Sequence, residues 1–395
     1  MKIFDDIVRS DSSPADHQES LARFLNRVHT PYWDSIRNLI EDWFSRLCPD
    51  AHPDMRARLR SDDNRQWEAA FWELYLHETL VRAGYEVTCH PKLAGITRRP
   101  DFLVGREDEK FILEARAVSA ADDKVATIRR RNRVYDALER TESPNFFLGI
   151  NVEGEGNADL KVKVLRRKLE QWLRGLDPDS VDMGLAAAGV EDALPILEWE
   201  DGDWYLVFRA FPKSPSSRGV AGIRPLGMYG PRGGTVDDVG PIRTALGEKG
   251  KAYGEPELPF VVAIRSVGIT GDDTDIMDSL YGRSQIQFSV SPSGQTATRW
   301  GRAADGYWRD AAGWKHRQVS GVLVSHHLWP WTVARDIPTL WEHPNPLHAV
   351  RAAPMWRRAL ITAQRLEYAP PALTPGSLLG LSDPWPPGSP FDPYS

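Results

Sequence analysis

SDDNRQWEAAFWELYLHETLVRAGYEVTCHPKLAGITRRPDFLVGREDEKFILEARAV, residues 61 to 118, carries two hydrophobic periods in succession. Over its first half Trp67, Phe71, Leu74 and Val81 recur at helical spacing, with Ser61 and two aspartates at the start and Gly84 at the C-cap position. Glu73, flanked a turn away by Ala69, Ala70, Leu76 and Leu80, lies toward the packed side, where a carboxylate is costly unless a cation or donor meets it. The second half alternates as strands: Tyr85 to His90, Arg99 to Val104, and Phe111 to Val118 after a polar loop. On the last of these Ile112, Glu114, Arg116 and Val118 share a face. The short connection makes the strand opened by Asp101 its neighbour, so two carboxylates from adjacent strands and one from a helix form an oxygen cluster suited to a hard divalent cation.

In these residues the chain resembles the PD-(D/E)XK nuclease superfamily, the restriction-endonuclease-like fold. The matching positions are Glu73 on the helix, Pro100-Asp101 at a strand, and Glu114-Ala115-Arg116, with arginine where the family usually has lysine. The resemblance covers residues 61 to 152. It implies an α/β fold with an αβββαβ core, a central mixed sheet flanked by helices, to which this chain adds N-terminal helical and C-terminal β-rich elaborations. It also implies hydrolysis of phosphodiester bonds with Mg²⁺ or Mn²⁺. Asp101, Glu114 and the carbonyl of Ala115 would be ligands, Glu73 would hold a second ion or a water, and Arg116 would neutralise the transition state. Arginine keeps its charge but gives up no proton near neutrality, so a general-base role passes elsewhere. Lys249 and Lys251, near the end of a later helix, are the candidate replacements, although lysines there also suit the helix dipole. The expected partner is nucleic acid, DNA ahead of RNA, with a homodimer left open. The alternative is a degenerate module on the same scaffold that binds nucleic acid or protein. A plainer reading also stands: Asp101 as a turn residue, Glu114 in an ion pair with Arg116, Glu73 facing Arg98 or Arg99.

Outward from this core, residues 1 to 60 read as a helical extension, with Trp33, Ile36, Ile40, Trp43 and Phe44 as an apolar stripe and no chemistry of its own. A helix over 122 to 140 carries Arg129, Asn132 and Arg133. The resemblance implies phosphate contact there, against the ordinary reading of a solvated charged face. A fourth strand is expected at 146 to 152 and a basic amphipathic helix at 158 to 176. Asp201-Gly202 between two strand patterns signals a hairpin. Gly230 to Gly234 lacks the Gly-Lys-Ser/Thr ending of a phosphate loop. A helix at 241 to 253 and an apolar strand at 258 to 264 suit a crossover that extends the sheet. Further on come a helix at 272 to 280, strands at 285 to 290 and 319 to 324, and a helix at 355 to 367. The tail, 369 to 395, is expected to be extended or disordered. His326 and His327 are adjacent on an extended chain, point oppositely, and make a poor chelate. The segments are therefore 1–60, a core with insertions at 61–265, an elaboration at 266–368 and the tail.

Composition sets the outer bounds. Hydrophobic residues at 41% and charged residues at 26% describe an ordinary globular protein, and fifteen tryptophans call for an aromatic core. A formal charge of −6 argues against a protein that coats nucleic acid nonspecifically, though not against a local basic groove. Cys48 and Cys89, far apart and without a CxxC, give no disulfide framework or zinc site, and Cys89 reads as core packing. The start MKIFDDIVRSDSS has no basic region followed by an apolar run, and no apolar stretch reaches membrane-spanning length, so a cytoplasmic protein is expected.

Overall fold

In the computed structural model all residues are described except 94–97, 119–121, 157, 159, 189–193, 221–222, 229–238, 251–252, 267–272, 291–295, 362–365 and 392–395. The side chains of 122–125, 187–188, 286–290 and 296–300 are likewise left out. In chain order, α1 (Leu21–Arg27), α2 (Pro31–Arg46) and α3 (His52–Leu59) precede the long α4 (Asn64–Arg82). Then come β1 (Glu86–Cys89), β2 (Phe102–Arg106), β3 (Glu109–Val118), α5 (Asp122–Leu138), β4 (Phe146–Gly154), α6 (Val162–Arg174), α7 (Pro178–Ala188), β5 (Ile196–Asp201), β6 (Trp204–Pro212) and β7 (Leu226–Met228). After α8 (Val239–Gly250), β8 (Phe260–Ser266) and α9 (Asp273–Tyr281) come β9 (Ser284–Val290), β10 (Thr296–Arg302), β11 (Arg309–Asp310) and β12 (Gly313–Trp314). The last elements are β13 (Gly321–Ser325), β14 (Thr339–Glu342), β15 (Arg357–Ile361), β16 (Leu366–Ala369) and α10 (Pro375–Leu379).

The chain divides into two compact units: 1–14, 20–120 and 236–395 in one, 15–19 and 121–235 in the other. The first holds an eight-stranded mixed sheet in the order β1-β2-β3-β8-β13-β14-β15-β16. Strands β1, β2 and β3 are antiparallel, while β8 pairs in parallel with both β3 and β13. Every residue of β8 is buried. Its side chains alternate, so Phe260, Val262 and Ile264 join Ile242 and Leu246 of α8 and Leu280 of α9 in one core. On the other face Arg265 meets Glu68 of α4 at 3.2 Å. Helices therefore flank both faces of this sheet.

Local chemistry explains the long helix. Asp63 is its N-cap, accepting from the Arg65 amide at 3.0 Å, while Ser61 accepts from the Asp63 amide in the turn before. Gly84, at φ +83°, takes the left-handed conformation that lets the chain leave the helix. The aromatic core expected from composition is present. Trp43, Trp67, Trp72, Trp308, Trp341 and Trp356 are fully buried, and Trp67 and Trp43 both stack on Phe71.

Several expectations are corrected. The strand at 146 to 152 forms, as β4, but in a separate four-stranded sheet of order β5-β6-β4-β7 in the second unit. That sheet has its own core of Val134, Leu138, Phe146, Leu148, Leu165 and Phe208 among others, so α5 and β4 complete each other and not the first sheet. The strand next to β3 is β8. Where a helix was expected at 355 to 367, Arg357–Ile361 and Leu366–Ala369 are instead the antiparallel strands β15 and β16. The free edge of β14 recruits β15, and Glu342 holds Arg358 at 2.6 Å, a tertiary demand that outweighs helical spacing. The described part of the tail, 369 to 391, carries α10 and packs on other segments of the first unit. Trp385 donates to the Pro330 carbonyl at 3.0 Å, and Phe391 packs on Trp33 and Phe24. Cys48 and Cys89 form a disulfide, because the end of α2 folds back onto the end of β1. Among the described residues no helix is long and apolar enough to cross a membrane.

Candidate active site

Asp101 immediately precedes β2, whose register pairs Phe102 with Leu113, so one step back sets Asp101 opposite Glu114. Three backbone contacts hold it there. Its carboxylate accepts from the Ala115 amide at 2.7 Å, its amide donates to Glu114 Oε2 at 3.3 Å, and its carbonyl accepts from His90 at 2.9 Å. Burial, and then the charges of Glu73 and Glu114, push the Asp101 carboxyl up to about 8. The Ala115 amide and Lys249 pull the other way. Buried carboxylates that interact in this way repel each other unless protons or a cation intervene.

Glu114 is buried, and each of its oxygens meets a donor. The Lys249 ammonium sits on Oε1, and the Tyr253 hydroxyl donates to Oε2 at 2.6 Å. Burial and that hydrogen bond push the Tyr253 hydroxyl far above its ordinary range. Lys249 arrives because α8 lies on the Glu114 face of the sheet. Ile242, Leu246 and Lys249 are spaced by four and three residues, one stripe of α8 on which Lys249 replaces apolar contact with polar contact, while Tyr253 lies beyond the helix end at Gly250, in a turn. At Gly250 an added Cβ would lie 1.9 Å from the Tyr307 hydroxyl, so glycine lets the end of α8 seat against Tyr307 and Val319.

Arg116 points to the rim. Its side chain is half exposed and meets Glu248 at 3.6 Å, so two consecutive residues of α8 divide the contacts of Glu114 and Arg116 between them. Glu73 is buried, but it comes from α4 on the opposite face. Both its oxygens accept from Arg58 of α3, at 2.7 and 2.6 Å. The arginine that meets Glu73 is therefore neither Arg98 nor Arg99. Lys251 lies outside the described residues. Arg129, Asn132 and Arg133 belong to α5 of the second unit, where the first and last are exposed and Asn132 donates to the His17 carbonyl at 2.7 Å. His326 meets Asp273 at 3.4 Å, and the His326 and His327 rings are 6.1 Å apart, which is no chelate.

The structure thus brings Asp101, Glu114, Ala115 and Lys249 together and couples Glu73 to them through its charge. The sequence reading missed Tyr253 and Arg58. Tyr253 stood only at the end of the helix expected over 241 to 253, which in fact stops at Gly250, and nothing in the order of residues pairs Arg58 with Glu73. No family model, no curated protein and no solved structure matches the chain.

Proposed function

We propose that this protein is a divalent-cation-dependent nuclease built on a restriction-endonuclease-like core. In that core α4, β1, β2 and β3 are followed by the crossover helix α8 and the parallel strand β8. The observation that carries the reading is the Lys249 ammonium on Glu114, beside an Asp101 that keeps its proton well above the usual carboxylate range. A lysine from α8 supplies the titratable cation that Arg116 cannot.

The residues fit a hard cation. Asp101 and Glu114, with the carbonyl of Ala115, are the oxygen donors that would hold Mg²⁺ or Mn²⁺, and the Asp101 carboxyl is raised first by burial and then by the charges of Glu73 and Glu114, which a cation would offset. When bound, the ion supplies Lewis-acid stabilisation of a phosphate and greater acidity of water. The chain supplies the rest. Ala115 and the strand register fix the direction of Asp101, and Tyr253 fixes the plane of the Glu114 carboxylate. Lys249 neutralises charge developing on the scissile phosphate and can pass on a proton. Glu73, held by Arg58, adds a fixed negative charge behind Asp101.

A second reading, a nucleic-acid-binding or protein-interaction module without catalysis, is favoured by one observation. Both oxygens of Glu73 and both of Glu114 are already engaged by donors of the protein. Cleavage rates of Lys249→Ala and Arg116→Ala on one DNA or RNA substrate test the assignment. Lys249→Ala is expected to lose about 10²-fold or more, the usual worth of a positioned acid–base group, and Arg116→Ala to stay within about fivefold of wild type. The reverse order would return the role to Arg116. Binding that is unaffected by chelator, without cleavage, would support the second reading.

A further inference from the structure

Cys48 follows α2, His77 lies within α4, and Cys89 ends β1, so three separate elements bring two sulfurs and an imidazole to one point. One ligand atom from each of the three lies within 4.8 Å of the others. His77 is 2% exposed, its Nε2 is 4.0 Å from Cys48 Sγ, and its Nδ1 has no hydrogen-bond partner among the described residues. An unsatisfied buried polar atom is destabilising. Packing alone does not require it, since the neighbouring ring is Phe102, 6.2 Å away, against which an apolar residue would serve as well.

We propose that, once the Cys48–Cys89 bridge is reduced, Cys48, Cys89 and His77 form a binding site for a thiophilic divalent cation, zinc above all. The disulfide and metal-loaded forms are then alternative states of the protein. The Cα atoms of the two cysteines are 6.2 Å apart. That separation lets both sulfurs reach one ion at a Zn–S distance of about 2.3 Å, with the imidazole as third ligand and one position left for water or another ligand. A dithiol reductant supplies two electrons and two protons to the Cys48–Cys89 bond and leaves as its own cyclic disulfide. Zn²⁺ then displaces the two thiol protons and takes the imidazole lone pair. Soft thiolate donors separate this site from the all-oxygen cluster at Asp101, so the two sites select different ions. In a reducing compartment the dithiol is the resting form, and in an oxidising one the disulfide excludes metal.

The test uses the full chain in three forms: air-oxidised, reduced with a phosphine and freed of reductant under argon, and reduced Asp101→Asn. Each is titrated with Zn²⁺ against a chromophoric chelator, and with Co²⁺ to read thiolate charge-transfer and tetrahedral d–d absorption. One equivalent is expected in both reduced forms, with the cobalt spectrum of a mixed sulfur–nitrogen tetrahedral site, and none in the oxidised form. Cys48→Ser and Cys89→Ser should each weaken zinc binding by about 100-fold or more, and His77→Gln by about tenfold or more with weaker d–d bands. The oxidised-against-reduced comparison needs no variant, so it stands even if a substitution impairs folding. Equal zinc uptake by oxidised and reduced protein, or a reduced protein that takes up none, would overturn the proposal.

Discussion

Replacing Asp101 by asparagine removes an ionisable group from a buried cluster of carboxylates while keeping its shape and the acceptor for the Ala115 amide. In the unfolded chain an aspartate ionises near 3.8, and in the folded protein Asp101 holds its proton to about 8. Between those values the folded state binds the extra proton, so this group makes stability fall as pH rises from about 4 to about 8. Each pH unit in the window is worth about 1.4 kcal/mol, which brings the cost at pH 7 to roughly 4 kcal/mol as an order of magnitude. Asparagine does not titrate, so Asp101→Asn should be more stable than wild type at pH 7 and 8 and close to it near pH 4. Urea unfolding of both proteins at pH 5, 6, 7 and 8 in chelator measures this, with stability taken from midpoint and slope. Titrating groups that do not interact with Asp101, His77 among them, cancel in the difference between the two proteins. Two parallel curves would refute the reasoning, because they would mean that Asp101 ionises in the folded protein as it does in the unfolded chain.

Other substitutions probe the frame around the site. Arg265→Met should destabilise the protein by about 3–5 kcal/mol in the same unfolding assay, because it strands the buried Glu68 carboxylate that Arg265 meets at 3.2 Å. Gly250→Ala should lower the thermal midpoint and slow any cleavage, since the new Cβ meets the Tyr307 hydroxyl and displaces the end of α8 that carries Lys249. Phe391→Ala, which removes the ring seated on Trp33 and Phe24, should cost about 1–2 kcal/mol and raise proteolysis of the tail.

The elements whose hydrophobic period is long or unbroken were legible before any coordinates. The long helix α4, strands β1 to β3 and the buried strand β8 all lie within a few residues of where their patterns put them. A pattern does not say which sheet a strand joins, however. Phe146 to Val152 reads as a strand in either sheet, and only the match between its apolar face and α5 and α6 sends it to the second unit. Residues 355 to 367 failed for a related reason: a free strand edge is a property of β14, not of the residues that pair with it. At the site, Asp101 and Glu114 were legible because strand alternation and a short connection fix their relation. Lys249 was nameable as a lysine near the end of the helix before an apolar strand, where Arg116 leaves the lysine position unfilled, and its partner needed the crossover to be known. Contacts between distant segments left no local trace, which is why Arg58 beside Glu73 and the Cys48–Cys89 bridge were not foreseen.

The most direct measurement is cleavage of end-labelled single-stranded, double-stranded and branched DNA and RNA by the purified protein in Mg²⁺ or Mn²⁺. Wild type is compared with Asp101→Asn and Glu114→Gln, each checked for folding by circular dichroism. At least one substrate should be cut in either ion, with no cleavage in EDTA and nearly none by either variant, because each carboxylate both holds the cation and shapes the charge on the phosphate. Cleavage that persists in EDTA or in both variants, or no cleavage of any substrate by the wild type, would contradict a metal-dependent nuclease site at Asp101 and Glu114.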